Sequence, residues 1–316
     1  MRRTAHLFGA STLAVAASTV TVAAASGVAE LVHAHSLPWV ITLACLPAVC
    51  IGYVTAGEAR RVVTDGGFVV TETDIVNLHA VAVAAPVTRW LAVEAGLGPV
   101  VASALVGLLA GLFVPTYGAP VYCGSFVGMV APSVFVGRLA VAAAGLMAGV
   151  TFVAAKRVFD GFGGKLGTTA FVGCGTVALT TGTNPAEPAA LPDPVAAVAL
   201  VAVAGVAAAL TFVVSVRLDH GPVVGSAVVG LVVGLLAPTL LPVGGQVAAV
   251  AFCASFVGMV SPNRLPSERA TFGAGLLAGG LYVGTMPYLA GFGGKLGTIA
   301  FVACLATYGV RTVNSR

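Results

Sequence analysis

Two lysines carry the sharpest chemical signal in this chain. Residues 161–174 read GFGGKLGTTAFVGC and residues 291–304 read GFGGKLGTIAFVAC, identical at 12 of 14 positions. Lys165 and Lys295 each follow a glycine-rich stretch and open an apolar run that reads as a helix. Glycine admits backbone conformations closed to other residues. Consecutive exposed N–H groups in such a stretch can form an anion-binding nest. The helix N-terminus that follows adds donors and the positive end of its dipole. The lysines supply a full charge, and Thr168 and Thr298 a hydroxyl. Gly163, Gly164, Lys165 and Thr168, with Gly293, Gly294, Lys295 and Thr298, therefore suit a carboxylate, a phosphate or an inorganic anion. This is no nucleotide P-loop, because Leu166 or Leu296 follows the lysine where Ser or Thr is required. The competing reading is plain: glycine turns connect close-packed helices, and a lysine near a helix end snorkels to the headgroups. The flanks have changed between copies, Asp160 against Ala290 and Lys156-Arg157 against Met286-Pro287, while the lysine is kept. That contrast weighs toward the anion site.

A second pair of segments, CGSFVGMVAP (123–132) and CASFVGMVSP (253–262), presents Ser125 and Ser255 as further substrate-binding candidates. Weak helix propensity and a terminal proline suit a short or broken helix lining a cavity. A packed helix ending at proline is the alternative. Elsewhere Asn77, His79, Arg89 and Glu94 occupy one apolar segment whose counterpart, 196–217, is apolar up to Arg217. His79 or Arg89 could serve proton coupling or substrate binding; equally, Arg89 beside Trp90 could anchor at an interface. No Ser/His/Asp or Cys/His set, no HExxH and no carboxylate pair is present, so no catalytic site, metal or cofactor is expected. The six cysteines (45, 50, 123, 174, 253 and 304) all lie in apolar runs and read as small packing residues.

The elements that must position these groups lie in lipid. Hydrophobic residues make up 58% of the chain and charged residues 8%, against roughly 25% charged in soluble domains. Apolar runs of about 16–22 residues favour helices over barrel strands, which are shorter and alternate. The expected fold is an all-α polytopic membrane protein of about 12 transmembrane helices. The net charge of +4 is spread along the chain, so no nucleic-acid partner is implied. The partners expected are the lipid bilayer and a small-molecule or ion substrate.

The duplication extends further: GPVVASALVGLLAGLFVP (98–115) returns as GPVVGSAVVGLVVGLLAP (221–238), with 12 of 18 identical. The chain divides into an N-terminal hairpin (1–58, spans at 7–28 and 37–57), a polar linker (59–74), one repeat (75–183), a proline-rich loop (184–194) and a second repeat (195–312). The start resembles a secretory signal, but its apolar run is long and reads as a retained helix. Each repeat holds five segments: 75–96, 98–116, 119–136, 138–157 and 167–183, then 196–217, 222–241, 243–260, 270–288 and 297–311. If the third segment crosses, the second repeat is inverted, and positive residues divide twelve inside to two outside, Arg138 and Lys295. A re-entrant third segment gives nine to five. The crossing, inverted arrangement is expected, with a cytoplasmic N-terminus in the plasma membrane. Glycines four apart (Gly107/Gly111, Gly145/Gly149, Gly230/Gly234 and Gly275/Gly279) are expected at helix contacts. Such duplications build transporters around a site between repeats. The expected function is a secondary transporter of a small anionic solute; the alternative is a channel for a small neutral or anionic one.

Overall fold

A computed structural model of the chain describes residues 2–35, 52–58, 60–61 and 68–314. Most of the expected span at 37–57, with Cys45 and Cys50, lies outside the described residues, as does part of the polar linker. All regular structure in the described residues is helical. The helices are α1 (Arg2–His35), α2 (Glu72–Val93), α3 (Pro99–Phe113), α4 (Pro115–Gly128), α5 (Arg138–Ala154), α6 (Lys165–Thr181), α7 (Pro194–Phe212), α8 (Gly221–Leu240), α9 (Gly244–Gly258), α10 (Glu268–Gly284) and α11 (Lys295–Asn314). A π-helical turn, Val213–Arg217, continues α7, and a further helical stretch covers 52–58.

The starts are set by local chemistry. Thr71 and Asp74 form a reciprocal capping box on α2, each side chain accepting the other's backbone N–H. Asp193 accepts from the N–H groups of Val195 and Ala196 ahead of Pro194, the first residue of α7. Ser267 caps α10 through Ala270 N–H. The proline-rich loop before α7 is not helical from 183 to 193.

Five of the described helices are long and apolar enough to cross a membrane: Ala5–Glu30 of α1, Glu72–Val93, Pro194–Arg217, Gly221–Leu240 and Lys295–Val313. The third segments differ from their expected bounds. They form α4, of 14 residues, and α9, of 15, and both stop before their prolines, at Gly128 and Gly258. At 1.5 Å per residue α4 covers about 21 Å, short of a hydrocarbon core of about 30 Å. The helices α3 and α4 are separated only by Val114 and fold back on each other, Gly107 on the Tyr122 ring and Gly111 beside Gly118. Pro115 starts the second arm at the earliest position it can occupy.

Close backbone approach sets the directions of the helices. α2 runs parallel to α4, with Gly124 on Val81 and Gly128 on Ala85, and antiparallel to α5, with Gly145 on Ala85 and Gly149 on Leu78. α7 and α10 meet in the same antiparallel way, Gly275 on Ala208 and Gly279 on Val201. α3 and α8 lie antiparallel, Gly111 against Val224 and Gly234 against Val100 and Val101. All eight glycines of the four-residue pairs thus face protein. α1 crosses both halves of the chain, with Gly9 on the backbone of Ala154 at the end of α5 and Gly27 on Gly284 at the end of α10.

The crossing of α6 and α11, also antiparallel, brings two glycine backbones face to face. A Cβ at Gly167 would lie 2.5 Å from the Gly297 Cα, and one at Gly297 would lie 2.5 Å from the Gly167 Cα. Backbone cannot give way as a side chain can. Gly167→Ala and Gly297→Ala should each lower stability by about 1–3 kcal/mol through overpacking. Gly175, also on α6, has open space around its Cα, and Gly175→Ala should instead raise stability by about 0.5–1 kcal/mol through helix propensity. Unfolding of the three purified variants in detergent checks the contrast; equal effects would place the α6–α11 crossing elsewhere.

Candidate functional site: two cavities that meet on an aromatic pair

Each GFGGK loop of one half docks on a helix end of the other. A Cβ at Gly163 would meet the Phe256 and Val257 carbonyls of α9, and one at Gly293 the Phe126 and Val127 carbonyls of α4. The Gly161 carbonyl accepts Ser261 N–H at 2.9 Å, and the Gly291 carbonyl accepts Ala131 N–H at 2.8 Å. Gly164 and Gly294 sit at φ +81° in front of their helices, where only glycine is unstrained. Two bulky residues in the same loops are also left-handed, Phe159 at +52° and Leu289 at +53°. Backbone strain of this kind costs about 1–3 kcal/mol and gathers at functional sites.

The lysines reach back to the helices before them. Lys295 Nζ donates to the Thr285 and Tyr288 carbonyls, both at 2.6 Å, just past the C-terminus of α10. Lys165 Nζ lies 3.5 Å from the Lys156 carbonyl, just past α5. A cation at a helix C-terminus meets unpaired carbonyls and the negative end of the dipole. Both lysines are half-buried, and each still lines a cavity.

The two cavities correspond residue for residue. One, of about 310 Å³, is lined by Lys165, Gly164, Phe162, Phe152, Phe126, Phe256, Met259 and the N-terminal Pro222 of α8. The other, of about 300 Å³, is lined by Lys295, Gly294, Phe292, Tyr282, Phe256, Phe126, Met129 and the N-terminal Pro99 of α3. Because α3 and α8 are antiparallel, the cavities lie at opposite ends of that helix pair. Phe126 and Phe256 line both, with ring centroids 4.6 Å apart. This ring pair is the wall between the two spaces.

The remaining sequence candidates sit behind that wall. Thr168 and Thr298 are fully buried and donate to the Gly164 and Gly294 carbonyls at 3.1 Å. Ser125 and Ser255 are fully buried and donate to the Tyr122 and Phe252 carbonyls. The structure thus brings Gly164, Lys165, Gly294 and Lys295 to the cavity walls and keeps Gly163, Gly293, Thr168, Thr298, Ser125 and Ser255 in the packing around them. Of the outlying polar residues, Arg89 donates to the Val130 and Phe135 carbonyls and so holds the turn after α4. His79 bonds the Ile75 carbonyl on its own helix. Among the described residues no three His, Cys, Asp or Glu side chains gather as a metal site.

The sequence reading missed Phe126, Phe256, Tyr122, Ser103 and Ser226. All but Tyr122, which directly precedes one, lie in the duplicated blocks, but an aromatic or serine inside an apolar run looks like ordinary helix packing.

The cavity mouths differ. Lys156, Asp160 and Gly161 also line a charged antechamber of about 570 Å³ with Glu58, Arg61, Arg157 and Arg264. There Glu58 Oε1 accepts from Arg264 at 3.0 Å, Glu58 Oε2 accepts Phe159 N–H at 3.2 Å, and Arg264 Nε donates to the Asp160 carbonyl at 3.0 Å. Arg264 also stacks on Phe162, 4.3 Å from its centroid. At the other mouth the proline-rich loop serves instead: Ala186 N–H donates to the Ala290 carbonyl at 2.9 Å, and Ala189 lines the cavity.

No family model, no curated protein and no solved structure matches this chain.

The side chains of Glu58 and Arg264 are only 7% and 12% exposed, so neither is easily left alone. Arg264→Met and Glu58→Gln should each destabilise by about 1–3 kcal/mol, since each leaves a largely buried polar group short of a partner while Arg61 still faces Glu58 and the Asp160 carbonyl still faces Arg264. The double variant should lose less than the sum by about 1 kcal/mol or more. Thermal unfolding of the four proteins closes the cycle; strict additivity would show that the two side chains do not act as a pair.

Proposed function

We propose that the chain is a secondary transporter of a small anionic solute, with two vestibules on opposite sides of a membrane and a crossing point between them. The supporting observation is the pair of matching cavities, each walled by a half-buried lysine and a helix start, that meet on Phe126 and Phe256. A vestibule with an ammonium and helix N-terminal donors favours a negative charge. Among the described residues, the only carboxylate on either cavity wall is Asp160, at one mouth, so a cation would find little to balance it. Closed rings between open spaces suit alternating access.

On this reading the two repeats are inverted, and the antiparallel α3–α8 and α6–α11 contacts support that relation. Impermeant thiol reagents test it. In a cysteine-free background, Asp160→Cys and Ala290→Cys should be labelled from opposite sides of the membrane. Labelling from one side would require parallel repeats. A channel through the same rings is the second reading; it is favoured by the scarcity of charge along the path, and counterflow in liposomes separates a carrier from it.

Lys165→Met and Lys295→Met should each slow formate and chloride flux into liposomes about tenfold or more, since a charge-assisted contact is worth about 1.5–3 kcal/mol. Lys→Arg should restore part of the rate, because a planar fork replaces a compact charge. If the double Met variant keeps its fold and its anion flux, while glycerol passes equally well, the lysines serve only as helix caps and a neutral-solute channel replaces this proposal.

A further inference from the structure

We infer that the solute crosses between the cavities past a movable Phe126–Phe256 gate and is selected there by the hydroxyl of Tyr122, which confines the substrate to small anions that accept hydrogen bonds. This rests on the two-vestibule reading above.

Four rings pack as one cluster, Tyr122, Phe126, Phe252 and Phe256, with centroids 4.4–6.4 Å apart, and Phe126 and Phe256 of these reach the cavities. They are not equally free. The Tyr122 ring lies on Gly107 and the Phe252 ring on Gly230, each so close that a Cβ on the glycine would fall 2.3 Å from the ring. Neither ring has room to retreat. Phe126 and Phe256 border both cavities and so have space to swing into. The gate is that pair, and the frame it closes against is Tyr122 and Phe252.

The frame carries buried hydroxyls. Tyr122, Ser103, Ser125, Ser226 and Ser255 are all fully buried. Their protons can be ordered, because each hydroxyl has one hydrogen. Ser255 donates to the Phe252 carbonyl at 2.7 Å, so Ser226 donates to Ser255 at 2.8 Å, and Tyr122 donates to Ser226 at 3.0 Å. In the other half Ser125 donates to the Tyr122 carbonyl and Ser103 to Ser125, both at 2.8 Å, but Phe252 stands where a matching tyrosine would be. Buried polar groups in lipid are costly and gather on transport paths. A solute that opens the gate meets one phenol O–H that can turn from a serine to it, beside ring edges that carry partial positive charge. No carboxylate stands among these residues to accept a proton or hold a cation. A gap made by one swung ring admits a few heavy atoms.

The full chain in liposomes, with formate, chloride, thiocyanate and benzoate as probes, tests this. Tyr122→Phe should lower formate and chloride flux about tenfold, by loss of a hydrogen bond to charge, and leave weakly hydrated thiocyanate nearly unchanged. Tyr122→Phe with Phe252→Tyr moves the hydroxyl beside Ser103 and should restore the formate-to-thiocyanate ratio. Phe126→Ala should raise all fluxes and admit benzoate. A ratio that stays at its wild-type value in Tyr122→Phe, or is not restored by the swap in a protein of normal melting temperature, overturns selection by the hydroxyl. Benzoate exclusion and unchanged flux in Phe126→Ala overturn the gate. In both cases anion flux that still depends on Lys165 and Lys295 leaves the transporter reading standing. Absence of any anion flux in the wild type removes both.

Discussion

The structure depends on one crossing. At Gly167 and Gly297 the backbones of α6 and α11 touch without side chains between them, and the loops ahead of both helices are drawn into the opposite half. Dispersion between close backbones is what holds helices together where lipid is as apolar as the protein. Once the crossing is set, Gly163 must rest on the carbonyls of α9, and Gly293 on those of α4. Those carbonyls belong to helix ends that a glycine can approach and a larger residue cannot. The wall between the cavities follows, since Phe126 and Phe256 are on the same last turns of α4 and α9. The glycines that read as an anion nest thus act first as a socket.

The lysines show how one placement can serve two purposes. Lys295 spends two of its donors on carbonyls past α10, which stabilises a helix end facing an apolar surrounding. Its ammonium has three hydrogens, and the side chain forms part of a cavity wall. Capping and anion attraction therefore do not exclude each other here. The cap fixes the charge at the cavity wall, and on the proposed reading a fixed charge is a better electrostatic partner than a flexible one.

The helical class and the glycine contact faces were legible because composition and four-residue spacing reflect the solvent and the close approach directly. Gly111 and Gly234, Gly145 and Gly275 are found against protein for that reason. The bounds of α4 and α9 were less so. Expected at 119–136 and 243–260, they occur at 115–128 and 244–258, because Pro115 can open a helix while the Gly-Met turn before Pro132 and Pro262 ends one. The single-residue reversal at Val114 has no glycine to announce it; the packing of Tyr122 on Gly107 and of Gly118 on Gly111, with the Ser103–Ser125 hydrogen bond, holds the two arms together. The candidate lysines were found from spacing. The aromatic pair was not, since hydropathy cannot distinguish a ring that walls a cavity from one that fills a core.

Where the two halves differ is as telling as where they agree. The sockets, lysines and ring pair recur, but the mouths do not: Arg264, Glu58 and Asp160 guard one and a backbone-bonded, proline-rich loop covers the other. Val134 holds the place of Arg264 and is buried against the turn after α4. On the proposed reading, an ion-paired mouth opens at an electrostatic cost that salt can offset, whereas a backbone latch opens only with the chain segment that carries it. On the same reading, a passage that is alike at its centre and unlike at its ends is opened differently from its two sides, while the gradient sets the direction of net flow. The Tyr122–Phe252 difference carries that asymmetry into the ring cluster between the two halves.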